Sequence, residues 1–208
     1  HGGQAPLRET VAAAMLRLCD FGPQDALVDP MCGSGTFALE AAMRAGGIAP
    51  GWFRHFSFET WPAFRPATWQ YIRSHASWDP NAQAAINVYA FDTNVRAVHR
   101  LKASISALPL GGVISAREAD FFNLIPHRFS PAAGVVLINP PYGKRLQGKS
   151  SSKTLYLRIG QKLAADFSGW RLGLVLPDKK LLKLLPFSGA VHSFSHGGDR
   201  RWILVTQI

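Results

Sequence analysis

Cysteine is nearly absent: Cys19 and Cys32 are the only two in 208 residues. Two thiols cannot build a disulfide framework or a four-ligand zinc site, and their scarcity points to a reducing, cytoplasmic setting with no metal. Long apolar runs are missing as well. No stretch of about 18 apolar residues exists, which excludes a membrane-spanning helix. The opening His1-Gly2-Gly3-Gln4 lacks the basic-then-apolar order of a secretory leader, and the missing initiator methionine suggests a domain of a longer chain. Acidic residues are few, 13 against 23 Lys and Arg, so the formal charge is +10 and a polyanionic partner is favoured. What is present makes a core. At 47% hydrophobic residues the chain is not disordered, and its length suits one domain of ordinary size.

Strand and helix patterns alternate along the chain. Short apolar strands are predicted at 26–29, 88–92, 113–119, 134–138, 172–176, 191–195 and 202–206. Helices are predicted from Pro6, with a stripe of Leu7, Val11, Ala14 and Leu18, and from Ser34 or Thr36 to Arg44, stopped by Gly46-Gly47. A third starts after a Thr93 or Asn94 cap, with Val95, Val98, Leu101, Ile105 and Leu108 as its stripe. A fourth starts near Ser152, with Leu155, Ile159, Leu163 and Phe167 on one face. Alternation with continuous apolar strands implies an α/β fold, a mostly parallel sheet doubly wound by right-handed crossovers. The short Gly197-Gly198 link makes the last two strands an antiparallel hairpin. One segment, about 47–87, breaks the rhythm. It holds Trp52, Phe53, Phe56, Phe58, Trp61, Phe64, Trp69, Tyr71 and Trp78, and reads as an insertion with its own small core.

Ligands in such sheets sit at the carboxyl ends of the strands, and four of those ends carry unusual residues. Asp29-Pro30-Met31-Cys32-Gly33-Ser34-Gly35-Thr36 places an acceptor-only carboxylate, suited to an ammonium, before a turn whose glycines allow close backbone approach. It is neither the dinucleotide pattern nor a P-loop, and a plain strand-to-helix turn would look similar. Asp92 could accept two ribose hydroxyls, or cap a helix beside Asn94. Asp120 could accept from an exocyclic amine with Phe121 stacking on its ring; the pair equally suits a cap followed by core aromatics. The most specific run is Asn139-Pro140-Pro141-Tyr142-Gly143. The prolines cannot donate, so carbonyls face outward, and with the Asn139 amide oxygen they could hold both donors of an NH2 group, Tyr142 stacking on its ring. Cys32 reads as packing, and none of the seven histidines stands out as a general base.

These runs, in this order, resemble the class I S-adenosylmethionine-dependent methyltransferases that carry an Asn-Pro-Pro-Tyr amino-methylating motif. Ala5 to Met15, Asp29 to Thr36, Glu40-Ala41-Ala42 and Asn139 to Leu146 look like the THUMP-associated RNA methylases. That family includes bacterial 23S rRNA guanine-N2 enzymes and related tRNA enzymes, and some members are named adenine-N6 DNA methylases. The resemblance covers nearly the whole chain, most weakly from Trp52 to Ala85 and after Lys179. It implies a Rossmann-like class I methyltransferase fold of seven strands with an antiparallel last strand, and an RNA-binding THUMP domain upstream of residues 1–208. It also implies that Asp29, Pro30, Cys32, Gly33, Ser34, Gly35 and Thr36 line the methionine and ribose part of S-adenosylmethionine, with Glu40 in the helix that follows. Asp92 would hold the ribose, Asp120 and Phe121 the adenine, and Thr10 would close over the cofactor.

Methyl transfer to an exocyclic nitrogen needs positioning and acceptors for the amine at Asn139 and Pro140 more than acid-base groups. A paired base must flip out to reach such a pocket, so a loop, bulge or single strand of RNA is the expected target. Lys144, Arg145, Lys149 and Lys153 flank the acceptor motif. Arg158, Lys162, Lys179, Lys180, Lys183, Arg200 and Arg201 follow, and as a set they suit backbone phosphates. Guanine N2 of 23S rRNA or tRNA is the first expectation and adenine N6 of DNA or RNA the alternative. A glutamine-methylating enzyme and a non-catalytic RNA-binding module fit less well.

Overall fold

Buried apolar runs become strands because each can hide both faces. The computed structural model describes residues 7–76, 87–108, 110, 112–141 and 152–208. Seven strands, β1 (Leu27–Asp29), β2 (Val88–Asp92), β3 (Ile114–Glu118), β4 (Val135–Ile138), β5 (Arg171–Leu176), β6 (Ala190–His196) and β7 (Asp199–Gln207), form one sheet in the order β3-β2-β1-β4-β5-β7-β6. β1 to β5 are parallel, whereas β7 runs antiparallel to both β5 and β6. The β6–β7 turn is Gly197-Gly198, with φ of +60° and +84°. A two-residue turn of this kind needs positive φ at both positions, which glycine adopts without strain. The order reverses between β1 and β4, which opens a crevice at their carboxyl ends.

Period-two alternation sorts each strand between two layers. Leu27, Val135, Leu137 and Val175 face α1 (Glu9–Leu18), α2 (Thr36–Ala45) and α4 (Val95–Ser106). Val28, Val136, Ile138, Leu172 and Leu174 face α5 (Ser152–Asp166), where Tyr156, Ile159 and Leu163 are fully buried. The buried Tyr156 hydroxyl is satisfied by donating to the Val175 carbonyl at 2.7 Å. Gly173 of β5 has no side chain for a packing reason: a Cβ there would lie 2.6 Å from Leu137 Cδ2 and 2.9 Å from Cys19 Sγ, so only glycine lets α1 seat on β5.

α1 presents a different stripe from the one its spacing suggests. Ala12, Met15 and Leu16 are buried with Val11 beside them, while Ala14 is exposed and Leu18 is 39% exposed. Met15 and Cys19 are what α1 sets against Gly173, which turns Ala12, Met15 and Leu16 inward, and three consecutive alanines offer little hydrophobic contrast from which to read a face. In α4, Asn94 caps the helix by accepting from the Arg96 and Ala97 amides, and Val95 is left exposed. In the aromatic segment, a 3-10 turn (Ser57–Thr60) and α3 (Pro66–His75) follow α2. Phe58 stacks on Phe56 and meets Trp69 edge-on at 5.1 Å. None of the residues in that turn or in α3 is fully buried. Trp78, Tyr142, Lys144, Arg145 and Lys149 lie outside the described residues.

Candidate functional site

The tips of β1, β2 and β3 are stitched by backbone before any ligand is considered. The Cys32 amide donates to the Phe91 carbonyl at 2.8 Å, the Gly35 amide to the Cys32 carbonyl at 2.7 Å and the Ala119 amide to the Asp92 carbonyl at 3.1 Å. Gly35 caps α2 in the left-handed region, φ +79°, and a Cβ there would overlap the Leu101 side chain. A larger residue would push α4 off the turn.

A cleft of about 1010 Å³ opens over these tips. Pro30, Met31, Cys32, Gly33, Ser34 and Thr36 line it from the first turn. Asp92 and Asn94 line it from β2, Asp120, Phe121 and Phe122 from β3, and Asn139 and Pro141 from β4. Asp92 is held from two sides, its Oδ2 accepting from the Gly33 amide and its Oδ1 from the Asn94 amide, both at 2.8 Å. A carboxylate has about four acceptor positions, so two remain for hydroxyl donors. Asp120 is exposed and accepts from the Phe122 amide at 2.9 Å, leaving its other oxygen open. Phe121 is 1% exposed and packs on Phe167, so it anchors the wall; Phe122 is only half-buried and presents more ring.

Two strand-tip residues carry unsatisfied acceptors. Asp29 is 1% exposed, and neither of its carboxylate oxygens has a hydrogen-bond partner among the described residues. Asn139 Oδ1 is in the same condition at the tip of the neighbouring strand β4. Buried acceptors left open cost stability, and a pair of them beside a cleft is what an absent donor leaves behind. Burial pushes the Asp29 carboxyl well above the usual range, the Asp92 charge adds to it, and the Met31 amide, which approaches without completing a well-formed hydrogen bond, opposes it. Burial, then the charges of Asp29 and Asp92, raise the Cys32 thiol, which stays protonated and is no nucleophile. Among the described residues no group of three or more His, Cys, Asp or Glu could hold a metal ion, and no helix is long and apolar enough to cross a membrane.

Several residues expected at the site lie apart from this lining. Asp29 is buried behind Pro30 and Met31, Thr10 is exposed on α1, Gly35 supports the turn from beneath, Pro140 is buried, and Glu40 is half-buried on α2. Burial, reinforced by Glu9, lifts the Glu40 carboxyl to about 7. Lys153 is exposed at the start of α5, and Lys162 is paired with Asp166 at 2.7 Å. The cleft also recruits residues that motif reading passes over, notably Leu7, Phe37, Arg100 and Leu155. Leu7 lies just before α1 and the others stand on α2, α4 and α5 beside the motifs, and their signal is only adjacency to strand ends.

The family model described as RMKL-like, methyltransferase domain, matches residues 1–193. A Synechocystis sp. protein with the provisional name RNA methyltransferase is 35% identical over 183 residues, 87% of this chain and 47% of that protein. The ribosomal RNA large subunit methyltransferase K/L of Shewanella amazonensis is 36% identical over 188 residues, 88% of this chain and 26% of that protein. Among solved structures, SMU.472, a provisionally named methyltransferase complexed with S-adenosylhomocysteine, superposes with a TM-score of 0.83 at 28% identity, over 99% of this chain and 54% of that one. A protein of Listeria monocytogenes named as a predicted N6-adenine-specific DNA methylase gives 0.78 at 26% identity, over 98% of this chain and 52% of that one. The chain thus spans about half, or less, of the length of these relatives. A match across most of its length, with the strand order and strand-tip residues described above, makes this chain a member of the RMKL-like methyltransferase domain family.

Proposed function

We propose that this domain binds S-adenosylmethionine in the strand-tip cleft and methylates an exocyclic amine of a base in RNA, guanine N2 of ribosomal or transfer RNA, in the cytoplasm. The observation that supports the reading is the pair of buried acceptor groups with no partner among the described residues, Asp29 at the end of β1 and Asn139 just after β4, on adjacent strands at the switch point. One is an acid suited to a cationic ammonium. The other is a neutral carbonyl suited to an NH2 group. Together they mark a donor site and an acceptor site side by side.

The residues fit the cofactor in this way. Asp29 takes the ammonium, and Gly33 and Gly35 keep the turn low enough for a ligand to lie on it. The free acceptor positions of Asp92 take the ribose hydroxyls, and the open oxygen of Asp120 takes the adenine amine. Bound there, S-adenosylmethionine supplies a methyl group already activated on a sulfonium. The chain then has to position and polarise an amine whose lone pair is delocalised into its ring. Asn139 Oδ1 and the Pro140 carbonyl would accept hydrogen bonds from its two N–H groups, draw it towards tetrahedral geometry and stabilise the positive charge that develops, and the proton the methylated nitrogen sheds passes to solvent, with S-adenosylhomocysteine as the leaving group. Orientation supplies much of the remainder, up to about 7–11 kcal/mol in well-organised cases. With Cys32 protonated, no covalent enzyme intermediate is needed.

The same two acceptors suit adenine N6, and the Listeria relative is named for that chemistry. RNA is favoured over DNA by the names of the two curated relatives; the +10 charge suits either polyanion. Calorimetry with S-adenosylhomocysteine and labelled transfer to RNA test the reading together. Binding with transfer that is lost in Asn139→Ala, at nearly unchanged ligand affinity, supports it. Absence of binding at high protein concentration removes it and leaves a non-catalytic module.

A further inference from the structure

Arg158 belongs by sequence to the basic set flanking the acceptor motif, where contact with RNA phosphate is its expected role. Its position is different. The guanidinium carbon lies 4.0 Å from the centroid of the Phe122 ring, a close cation–π stack. Phe122 lines the cleft, and its amide is the donor that holds Asp120 Oδ1 at 2.9 Å. Leu155, one turn before Arg158 on the same face of α5, also lines the cleft. The helix starts at Ser152, a short way along the chain from Asn139 and Pro141. A single side chain thus joins the α5 wall of the cleft to the β3 tip, and from there to the carboxylate read above as the adenine acceptor.

We propose that Arg158 is a positioning residue: it clamps Phe122, and through the Phe122 amide Asp120, so that the adenine end of the cofactor site is held in place from the helix that follows the acceptor motif. The inference rests on the cofactor reading above. Arg158 need touch no cofactor atom. Phe122 meets the Phe121 ring at 5.2 Å and packs on the core beside α5, but it stays half-buried, and the clamp acts on the ring face those contacts leave open, restricting the rotamers of a residue whose amide holds Asp120. The other basic residue read on this helix face is already occupied, since Lys162 is paired with Asp166.

The test is a double-mutant cycle on S-adenosylhomocysteine affinity by calorimetry, using Arg158→Ala, Phe122→Leu and the double variant, with Arg158→Lys as the conservative control. The expected result is a loss of about fivefold in affinity for Arg158→Ala, the size of a cation–π contact at a partly exposed site. Arg158→Lys should recover part of it, and the effect of Arg158→Ala should vanish in the Phe122→Leu background. The salt dependence of RNA binding should stay at the wild-type slope. Unchanged S-adenosylhomocysteine affinity in Arg158→Ala overturns the proposal. So does an RNA slope shallower by about 0.7, the signature of one lost phosphate contact on a single strand. A loss that persists undiminished without the Phe122 ring overturns it too. Urea midpoints of all four proteins separate a local clamp from general destabilisation: a fall in midpoint that accounts for the affinity change counts against it. Failure of the wild-type protein to bind S-adenosylhomocysteine would instead remove the cofactor reading on which the clamp depends.

Discussion

Replacing Asp29 by asparagine should move stability and ligand affinity in opposite directions. The carboxyl is 1% exposed and neither oxygen has a partner among the described residues. Leaving such a group unsatisfied costs about 1–3 kcal/mol, and more when it is ionised. Burial first, and the Asp92 charge second, raise its pKa above the ordinary 3.8. The folded protein therefore holds the Asp29 proton at pH values where the unfolded chain has released it. By linkage, this group's contribution to stability falls as pH rises above the unfolded value towards the folded one. Asparagine cannot ionise. The variant should lose that part of the downward slope, and so gain on the wild type as pH rises through the neutral range. Its affinity for S-adenosylhomocysteine should drop, because a hydrogen bond from the ammonium to a carboxylate becomes one to a neutral amide, a difference of about 1 kcal/mol or roughly fivefold in Kd. Urea unfolding between pH 5 and 8 at constant m-value gives the first quantity and calorimetry gives the second. A variant that is less stable than wild type and binds the ligand equally well would show Asp29 to be a structural acid, and would refute the assignment.

Other perturbations follow from the same geometry. Glu40, lifted to about 7 by burial and by Glu9, should cost the wild type stability as pH rises from about 4.5 to above 7; Glu40→Gln should flatten that part of a melting-temperature profile, and an unchanged profile would contradict the cause given. Gly35→Ala combines a left-handed φ with overlap on Leu101 and should cost about 1–3 kcal/mol in urea unfolding, while Gly47→Ala, with open space around its Cβ, should cost less. If about five of the basic residues at or beyond Asn139 contact single-stranded phosphates, log K for RNA should fall with log salt at a slope of about −3.5; a slope near zero would remove the electrostatic footing.

Much of the fold was legible because the strands are short, apolar and punctuated. β2 at 88–92 was read to the residue, and the Gly-Gly hairpin followed from turn chemistry alone. The buried face of α1 was not legible, because it is decided by the space at Gly173, far along the chain, against which Met15 and Cys19 seat. The strand-tip motifs named Asp29, Asp92, Asp120 and Asn139. Sequence could not show that Asp29 and Asn139 alone among these four carry buried atoms left unsatisfied. Nor could it show that Phe121 turns into the core while Phe122 meets Arg158, since adjacent aromatics are interchangeable until the 3-10 turn fixes their directions. The basic set looked uniform in sequence; in the fold Lys162 and Arg158 already have partners.

The central claim is methyl transfer to the amine of an RNA base, and nucleoside mass spectrometry tests it most directly. RNA from cells lacking the gene, incubated with the protein and labelled S-adenosylmethionine, should yield labelled N2-methylguanosine, and the Asn139→Ala protein should yield none. Label in N6-methyladenosine would contradict the guanine assignment, and label in no nucleoside from a protein that binds S-adenosylhomocysteine would contradict the claim itself.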